Sequence, residues 1–535
     1  MGVWSAMKIR CRNAVVIASL SLTLASAIAQ ERPSGKGREA DANSRELLRP
    51  NDTPSRGNGT NDPNNSIFRT EVPDHPFDII LGRPTNNSVT ASVLFYDSVN
   101  ARIVYGAQSG RYTDETSLVP LKEGEPMQLQ IGGLKADTQY FYQLQYKSSG
   151  AGDFTHSQEF TFHTARPPGS AFTFTVQADS HLDFGTVPQI YRKTLENASA
   201  DKPDFHFELG DTFMTDKYPR YTDAAKQYVA QRYYFGVLCH SAPLFFVIGN
   251  HDGEAGWKRD GVDSMAVWSN QIRKRYFPNP YPDNFYTGNT QPDPFSGRLE
   301  DYYAWQWGDA LFIALDPFWY TTSKPRDDAD GWSRTLGREQ YDWLSHTLEA
   351  STARFKFVFI HHLVGGLDKD GRGGSEAAKL YEWGGNSANG QSDFAARRPG
   401  WGLPIHELLV KHHVSAVLHG HDHLYVRQEL DGIMYLEVPQ PSHPENNTAR
   451  SAADYGYTHG VILGSPGHVR VRVSSEQAVI DYVRSRQPYE ESQGKRNGEV
   501  ADSFVMPANV SPAERSDRRV GRQEQRANAP RAVPG

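Results

Sequence analysis

The chain is expected to fold as a small all-β sandwich followed by a larger α/β domain. Three observations predict this. Between residues 77 and 164, apolar side chains recur at every second position and turn residues interrupt them at short spacing. From about 171 to 486, short runs rich in Val, Ile and Phe alternate with helical stretches. Five of those runs end in short polar motifs of Asp, Asn and His.

A chain of 535 residues exceeds one ordinary core, so two folded domains with tails are expected. With 56 Lys and Arg against 63 Asp and Glu, the formal net charge is -7. That balance predicts no stable nucleic-acid binding through a basic surface.

Residues 1–29 have the form of a signal peptide. Lys8, Arg10 and Arg12 precede an apolar stretch over 14–29, which ends in Ala27-Ile28-Ala29 before Gln30. The stretch is short for a bilayer and rich in Ser and Ala, which favours cleavage over anchoring. No other run is long and apolar enough to span, so the mature chain is expected to have no membrane span and to be secreted or periplasmic. Cys11 would leave with the leader, and Cys239 alone would remain, beside Val237 and Leu238, as a packed thiol without an intrachain disulfide.

Residues 30–73 are polar and rich in Gly, Pro, Asn, Asp and Arg, and are expected to be a disordered linker. The sandwich is placed at 74–166. Its inward positions are Val89, Ala91, Val93 and Phe95, then Met127, Leu129 and Ile131, then Tyr140, Tyr142 and Leu144, then Phe160 and Phe162. Residues 134–140 resemble the tyrosine corner of fibronectin type III modules, with Tyr140 as the tyrosine. The α/β domain is placed at 170–486, with helices expected over 335–350 and 405–413. The tail, 487–535, carries Arg515, Arg518, Arg519, Arg522 and Arg526 among polar residues and is expected to be disordered.

The five motifs are Asp179-Ser180-His181, Gly210-Asp211, Gly249-Asn250-His251-Asp252, His361-His362 and Gly420-His421-Asp422-His423. The runs before them cover 172–176, 205–209, 244–248, 355–360 and 414–418. Ligands of open α/β sheets gather at the carboxyl ends of strands, so the five loops should meet in one crevice. The Asp, Asn and His side chains of such a set suit metal ions.

In composition and order this set resembles the calcineurin-like metallophosphoesterase superfamily, whose blocks run D-x-H, G-D, G-N-H-[DE], H, G-H-x-H. The resemblance implies two packed mixed β-sheets flanked by helices, and a sandwich before such a domain is also found in plant-type purple acid phosphatases. It implies two divalent or mixed-valence metal ions, with Zn, Mn or Fe expected. Asp179, His181 and His423 would bind the first ion, and Asn250, His361 and His421 the second, with Asp211 bridging both. His251 would be a catalytic residue facing the substrate, and Asp252 would orient it. Purple acid phosphatases have a Tyr three positions after the bridging Asp; Met214 stands there, so a colourless or weakly coloured enzyme is expected.

The implied function is a secreted phosphoric ester hydrolase acting on a small-molecule phosphate ester, with a metal-bound hydroxide as nucleophile. Phosphomonoester hydrolysis is the leading reading, and phosphodiester hydrolysis at the same site is the alternative. A non-catalytic surface binding protein is the alternative from another class. Substrate-binding residues are not assigned. Lys369, Arg372, Arg397 and Arg398, in a glycine-rich stretch over 363–402, are possible phosphate contacts. His362 is expected behind the ligands or exposed, His419 is left open, and His206, His240, His412 and His413 are read as structural. Phe318, Trp319 and Tyr320 are read as core.

Overall fold

The computed structural model describes residues 68–444 and 449–509. The signal peptide and the tail beyond 509 lie outside the described residues.

The period-two segments form a β-sandwich. One sheet pairs Phe77–Gly82, Val89–Phe95 and Met127–Ile131, all antiparallel, and the other is built around Val99–Gly106 and Gln139–Ser148. Alternate side chains meet between the sheets, among them Ile79, Val93, Ile103, Leu129, Tyr142 and Phe162. The tyrosine corner forms as expected: the Lys135 backbone N–H donates to the Tyr140 hydroxyl at 2.9 Å.

Two mixed sheets pack face to face in the larger region. The first has six strands in the spatial order Leu244–Phe246, Phe205–Glu208, Phe172–Gln177, Gly467–Val473, Gln477–Arg484 and Val500–Pro507. Its first three strands are parallel and the rest antiparallel. The second has eight strands, with Ala310–Ala314, Phe355–Phe359, Ala416–His419 and Ile433–Glu437 running parallel at its centre. The layer between them is mostly aromatic, with Phe207 stacked on Phe359 at 3.9 Å and Phe245 on Trp305 at 4.1 Å between ring centroids.

Helices cover both outer faces. Pro188–Ala200 starts with Pro at its first position and buries Ile190, Tyr191, Leu195 and Ala198 on one stripe. With Ala225–Cys239 it covers the first sheet, whereas Arg338–Ala350 and Ile405–Lys411 cover the second. Met265–Tyr276 is capped by the Ser264 hydroxyl and carries Arg273, Lys274 and Arg275 in its last turn, where cations complement the helix dipole. Cys239 is buried with its thiol pushed well up by burial, as its apolar neighbours suggested.

Two boundaries differ from expectation. The tail does not begin at 487: Val500–Pro507 adds a strand to the first sheet, and Asp502 accepts hydrogen bonds from the Tyr425 hydroxyl (2.7 Å) and Arg427 (2.6 Å) of the second. Its polar, exposed face hid the strand signal. The linker likewise does not extend to 73: Phe68 bridges Asp183 and stacks on Tyr218.

Candidate metal centre

The five motifs follow parallel strands on two sheets: Asp179 after Phe172–Gln177, Asp211 after Phe205–Glu208, Asn250 after Leu244–Phe246, His361 after Phe355–Phe359, and His421 and His423 after Ala416–His419. In register Phe174 pairs with Phe205, His206 with Leu244 and Phe357 with Ala416, so within each sheet the chain leaves its motifs at one level. There it turns sharply. Asp179, His181, Asp211, His421 and His423 have φ of 59°, 50°, 54°, 87° and 62°, left-handed values that cost each about 1–3 kcal/mol. Hydrogen bonds offset this: Asp179 N–H to Gly210 O (3.0 Å), His181 N–H to Asp211 O (3.2 Å) and Gly420 N–H to His361 O (2.9 Å). Glycine is required at 249, where a Cβ would lie 2.1 Å from the Asp211 nitrogen.

The side chains converge in two groups. In one, His181 Nε2 and His423 Nε2 lie 3.7 and 3.6 Å from Asp179 Oδ1. In the other, His361 Nε2 lies 3.0 Å from Asn250 Oδ1, 3.2 Å from His421 Nδ1 and 3.3 Å from Asp211 Oδ2. Asp211 Oδ2 is also 4.0 Å from His181 Nε2, so this one oxygen faces both groups. The other oxygens are held in place. Asp211 Oδ1 accepts the His251 N–H and Asp179 Oδ2 the His421 N–H, each at 2.8 Å. All seven sequence-assigned ligands therefore meet.

These atoms fit metal ions. His361 Nδ1 faces the Leu209 carbonyl at 2.8 Å and must carry the hydrogen there, which turns the Nε2 lone pair towards Asn250, Asp211 and His421. Asp179 Oδ1 and His181 Nε2 are buried without a hydrogen-bond partner. Lone pairs so gathered need a cation between them. The field has the matching sign. Burial opposes protonation of His361, yet Asp211 lifts its pKa to about 9; at His181 burial is outweighed by Asp179 and Asp183, and the pKa rises to about 10. Burial and neighbouring imidazoles push His423 down to about 3 and His421 well below its usual value, leaving both neutral, as metal ligands must be.

His251 Nδ1 is 2.9 Å from Asp216 Oδ1, its Nε2 lies 4.0 Å from Asp211 Oδ2, and its ring is 22 % exposed. Here the sequence expectation needs correction. Asp252 does not orient His251. Its carboxylate is buried and accepts the backbone N–H groups of Gly249 (2.7 Å), Thr212 (2.8 Å), Phe213 (2.9 Å) and Asp211 (3.1 Å), tying two motif loops together. Asp216 has the orienting contact, and its one sequence signal was an acid shortly after the Asp211 motif. Asp183, which faces His181 Nδ1 at 3.3 Å, was also missed.

Around these, His362 is buried and edge-on to Phe318, so it is not exposed; His419 lies behind the loops with Nδ1 2.7 Å from Glu437. Phe318 and Trp319 are buried. Of the four cations suggested as phosphate contacts, Arg398 is paired with Glu382 and Lys369 with Asp370. Arg372 lies beside the last motif, 3.9 Å from Asp422 Oδ1, over the Tyr455 ring. Met214 is buried in the apolar cluster with Phe213 and Tyr228.

The model of a family described as calcineurin-like phosphoesterase matches residues 172–425. Among solved structures, one of PhoD is 15 % identical, with a TM-score of 0.58 over 82 % of this chain and 94 % of that one. A purple acid phosphatase isolated from yellow lupin (Lupinus luteus) seeds is 14 % identical, with a TM-score of 0.54 over 81 % and 74 % of the two chains. At these identities the likeness is one of fold. No curated protein matches the chain.

Proposed function

Given that residues 172–425 form a calcineurin-like phosphoesterase domain and the chain is a metal-dependent phosphoesterase, we propose that it hydrolyses phosphomonoesters outside the cytoplasm at a dinuclear centre. Asp179, His181 and His423 would hold the first ion and Asn250, His361 and His421 the second, with Asp211 shared between them. The observation that carries this reading is the convergence of lone pairs on two points that share Asp211. Zn, Mn or Fe suits the mixed nitrogen and oxygen donors. The ions would polarise the phosphate and supply a nucleophile at neutral pH.

The protein's own residues do the rest. His251, partly exposed and held by Asp216, would stabilise the transferring phosphoryl group and protonate the leaving oxygen. A monoester dianion has more charge for the ions and His251 to meet than a diester, and Arg372, shared by Asp368 (3.6 Å) and Asp422 (3.9 Å), stands beside the His421 loop. The apolar leader at 14–29 supports export. Diester hydrolysis needs the same ligands and is distinguished by assay. A non-catalytic binding role would leave the converging lone pairs without use.

The test uses purified full chain with mono- and bis-nitrophenyl phosphate, with and without a chelator. The monoester is expected to turn over faster, and both a chelator and Asp211→Ala to abolish turnover. Activity that survives both treatments would refute the metal model, and faster diester cleavage would replace the monoester reading.

A further inference from the structure

Beyond the strand Ile433–Glu437, the chain crosses behind the first motif loops as a buried segment, with Gln440 and Ser442 fully enclosed and His443 7 % exposed. Several of its polar groups reach the first motif loops, while the Pro441 carbonyl accepts the Thr194 hydroxyl of the helix Pro188–Ala200 at 2.8 Å. Gln440 Nε2 donates to the Asp179 carbonyl at 2.9 Å, and the Ser442 hydroxyl to the Ser180 carbonyl at 3.0 Å. Ser442 O accepts the Val187 N–H at 2.9 Å. The Gln440 N–H donates to the Ser465 hydroxyl (3.0 Å), which donates to the His423 carbonyl (2.7 Å). His443 Nε2 lies 2.9 Å from Asp183 Oδ1, and Asp183 Oδ2 lies 3.3 Å from His181 Nδ1.

We propose that this segment, Gln440 to His443 with Ser465, is the positioning device of the first metal position and sets its affinity ahead of that of the second. The inference rests on the dinuclear reading above. Asp179, His181 and His423 all have left-handed backbones, which persist only when their surroundings determine them. The segment or Ser465 reaches each of the three: two through backbone carbonyls, and His181 through the carboxylate of Asp183. For Asp183 to accept from both imidazoles, the hydrogen of His181 must sit on Nδ1. That leaves the Nε2 lone pair directed at Asp179 and Asp211, the tautomer a ligand needs. The seat for His443 is built: a Cβ at residue 185 would lie 2.4 Å from its Cε1, so Gly185 makes room for the ring. The second group is braced elsewhere, by Leu209 O on His361 Nδ1.

Metal-free full chain titrated calorimetrically with Zn²⁺, with Co²⁺ absorption spectra alongside, tests this in the wild type, His443→Leu, Gln440→Leu and His443→Gln. The wild type is expected to take two equivalents. Each Leu variant should keep one unchanged and bind the other about 10–100-fold more weakly, with its metal-free melting point close to that of the wild type. His443→Gln should recover most of the loss, because its amide can still donate to Asp183. Should His443→Leu fail to fold, Gln440→Leu decides. Leu variants that bind both ions as the wild type does, or lose both equally, would overturn the proposal while leaving the dinuclear reading intact. A wild type that takes fewer than two equivalents would overturn both.

Discussion

Asp216 and Asp252 both lie within reach of the His251 loop, yet their surroundings give them opposite work. Asp216 meets one ring nitrogen of His251 at a partly exposed position, 2.9 Å away. Asp216→Asn keeps a hydrogen-bonding partner and removes the charge. It should lower kcat by about 10–100-fold, with the melting point unchanged. Asp252 instead satisfies four backbone donors in the interior. Asp252→Ala strands all four and should cost about 3 kcal/mol or more, read as a lower urea midpoint in the metal-free protein. The reverse pattern would return the orienting role to Asp252.

The helix Ala225–Cys239 shows how one element serves both domains. Gln227 and Gln231, one turn apart, face the motif loops: both donate to the Thr212 carbonyl, at 3.1 and 3.0 Å, and Gln231 also to the Ser180 hydroxyl. Arg232, next along, turns to the sandwich. Fully buried, it donates to the Ser92 hydroxyl and carbonyl, each at 2.9 Å, and to the carbonyls of Asp78 and Tyr276. Burial lowers the pKa of this guanidinium, but it remains charged, and carbonyl dipoles compensate it. Arg232→Met would leave those acceptors unpaired. A loss of about 3 kcal/mol is expected, together with faster proteolysis between the sandwich and the first sheet. Wild-type resistance and stability in this variant would contradict the docking role. The sandwich is thus packed as part of the scaffold.

For the whole molecule, acid should act through buried imidazoles away from the metal centre. Burial, with His468 nearby, holds His206 neutral down to about 3, while its Nδ1 meets the Thr175 hydroxyl at 2.8 Å. The unfolded chain takes up that proton near pH 6.5, so the stabilisation is present above 6.5 and is lost as pH falls from there towards 3. Between pH 7 and pH 5 this one residue should remove about 2 kcal/mol. Urea unfolding of metal-free protein at both values, with His206→Leu for comparison, should show a flatter acid limb in the variant. Equal slopes would exclude this cause.

What the sequence determined by itself is the chemistry at the strand ends and the two kinds of layer. Period-two runs, buried apolar strands and five ordered motifs are local patterns, and each of the seven ligand types is visible at its own position. A strand that ends in Asp or His aims it at the same edge wherever the sheet is parallel, so convergence followed from the pattern. The tertiary structure decided what depends on distant partners. Asp216 took the contact expected of Asp252 because the Asp252 carboxylate was already enclosed by four N–H groups from two loops. Gln440, Ser442 and His443 reach residues more than 250 positions away, and no local spacing announces them. Val500–Pro507 reads as tail because an edge strand with one wet face has a polar sequence, and only its pairing with Gln477–Arg484 makes it a strand. Candidate metal ligands are legible one residue at a time; the side chains that hold them in strained turns are specified by the fold that brings them together.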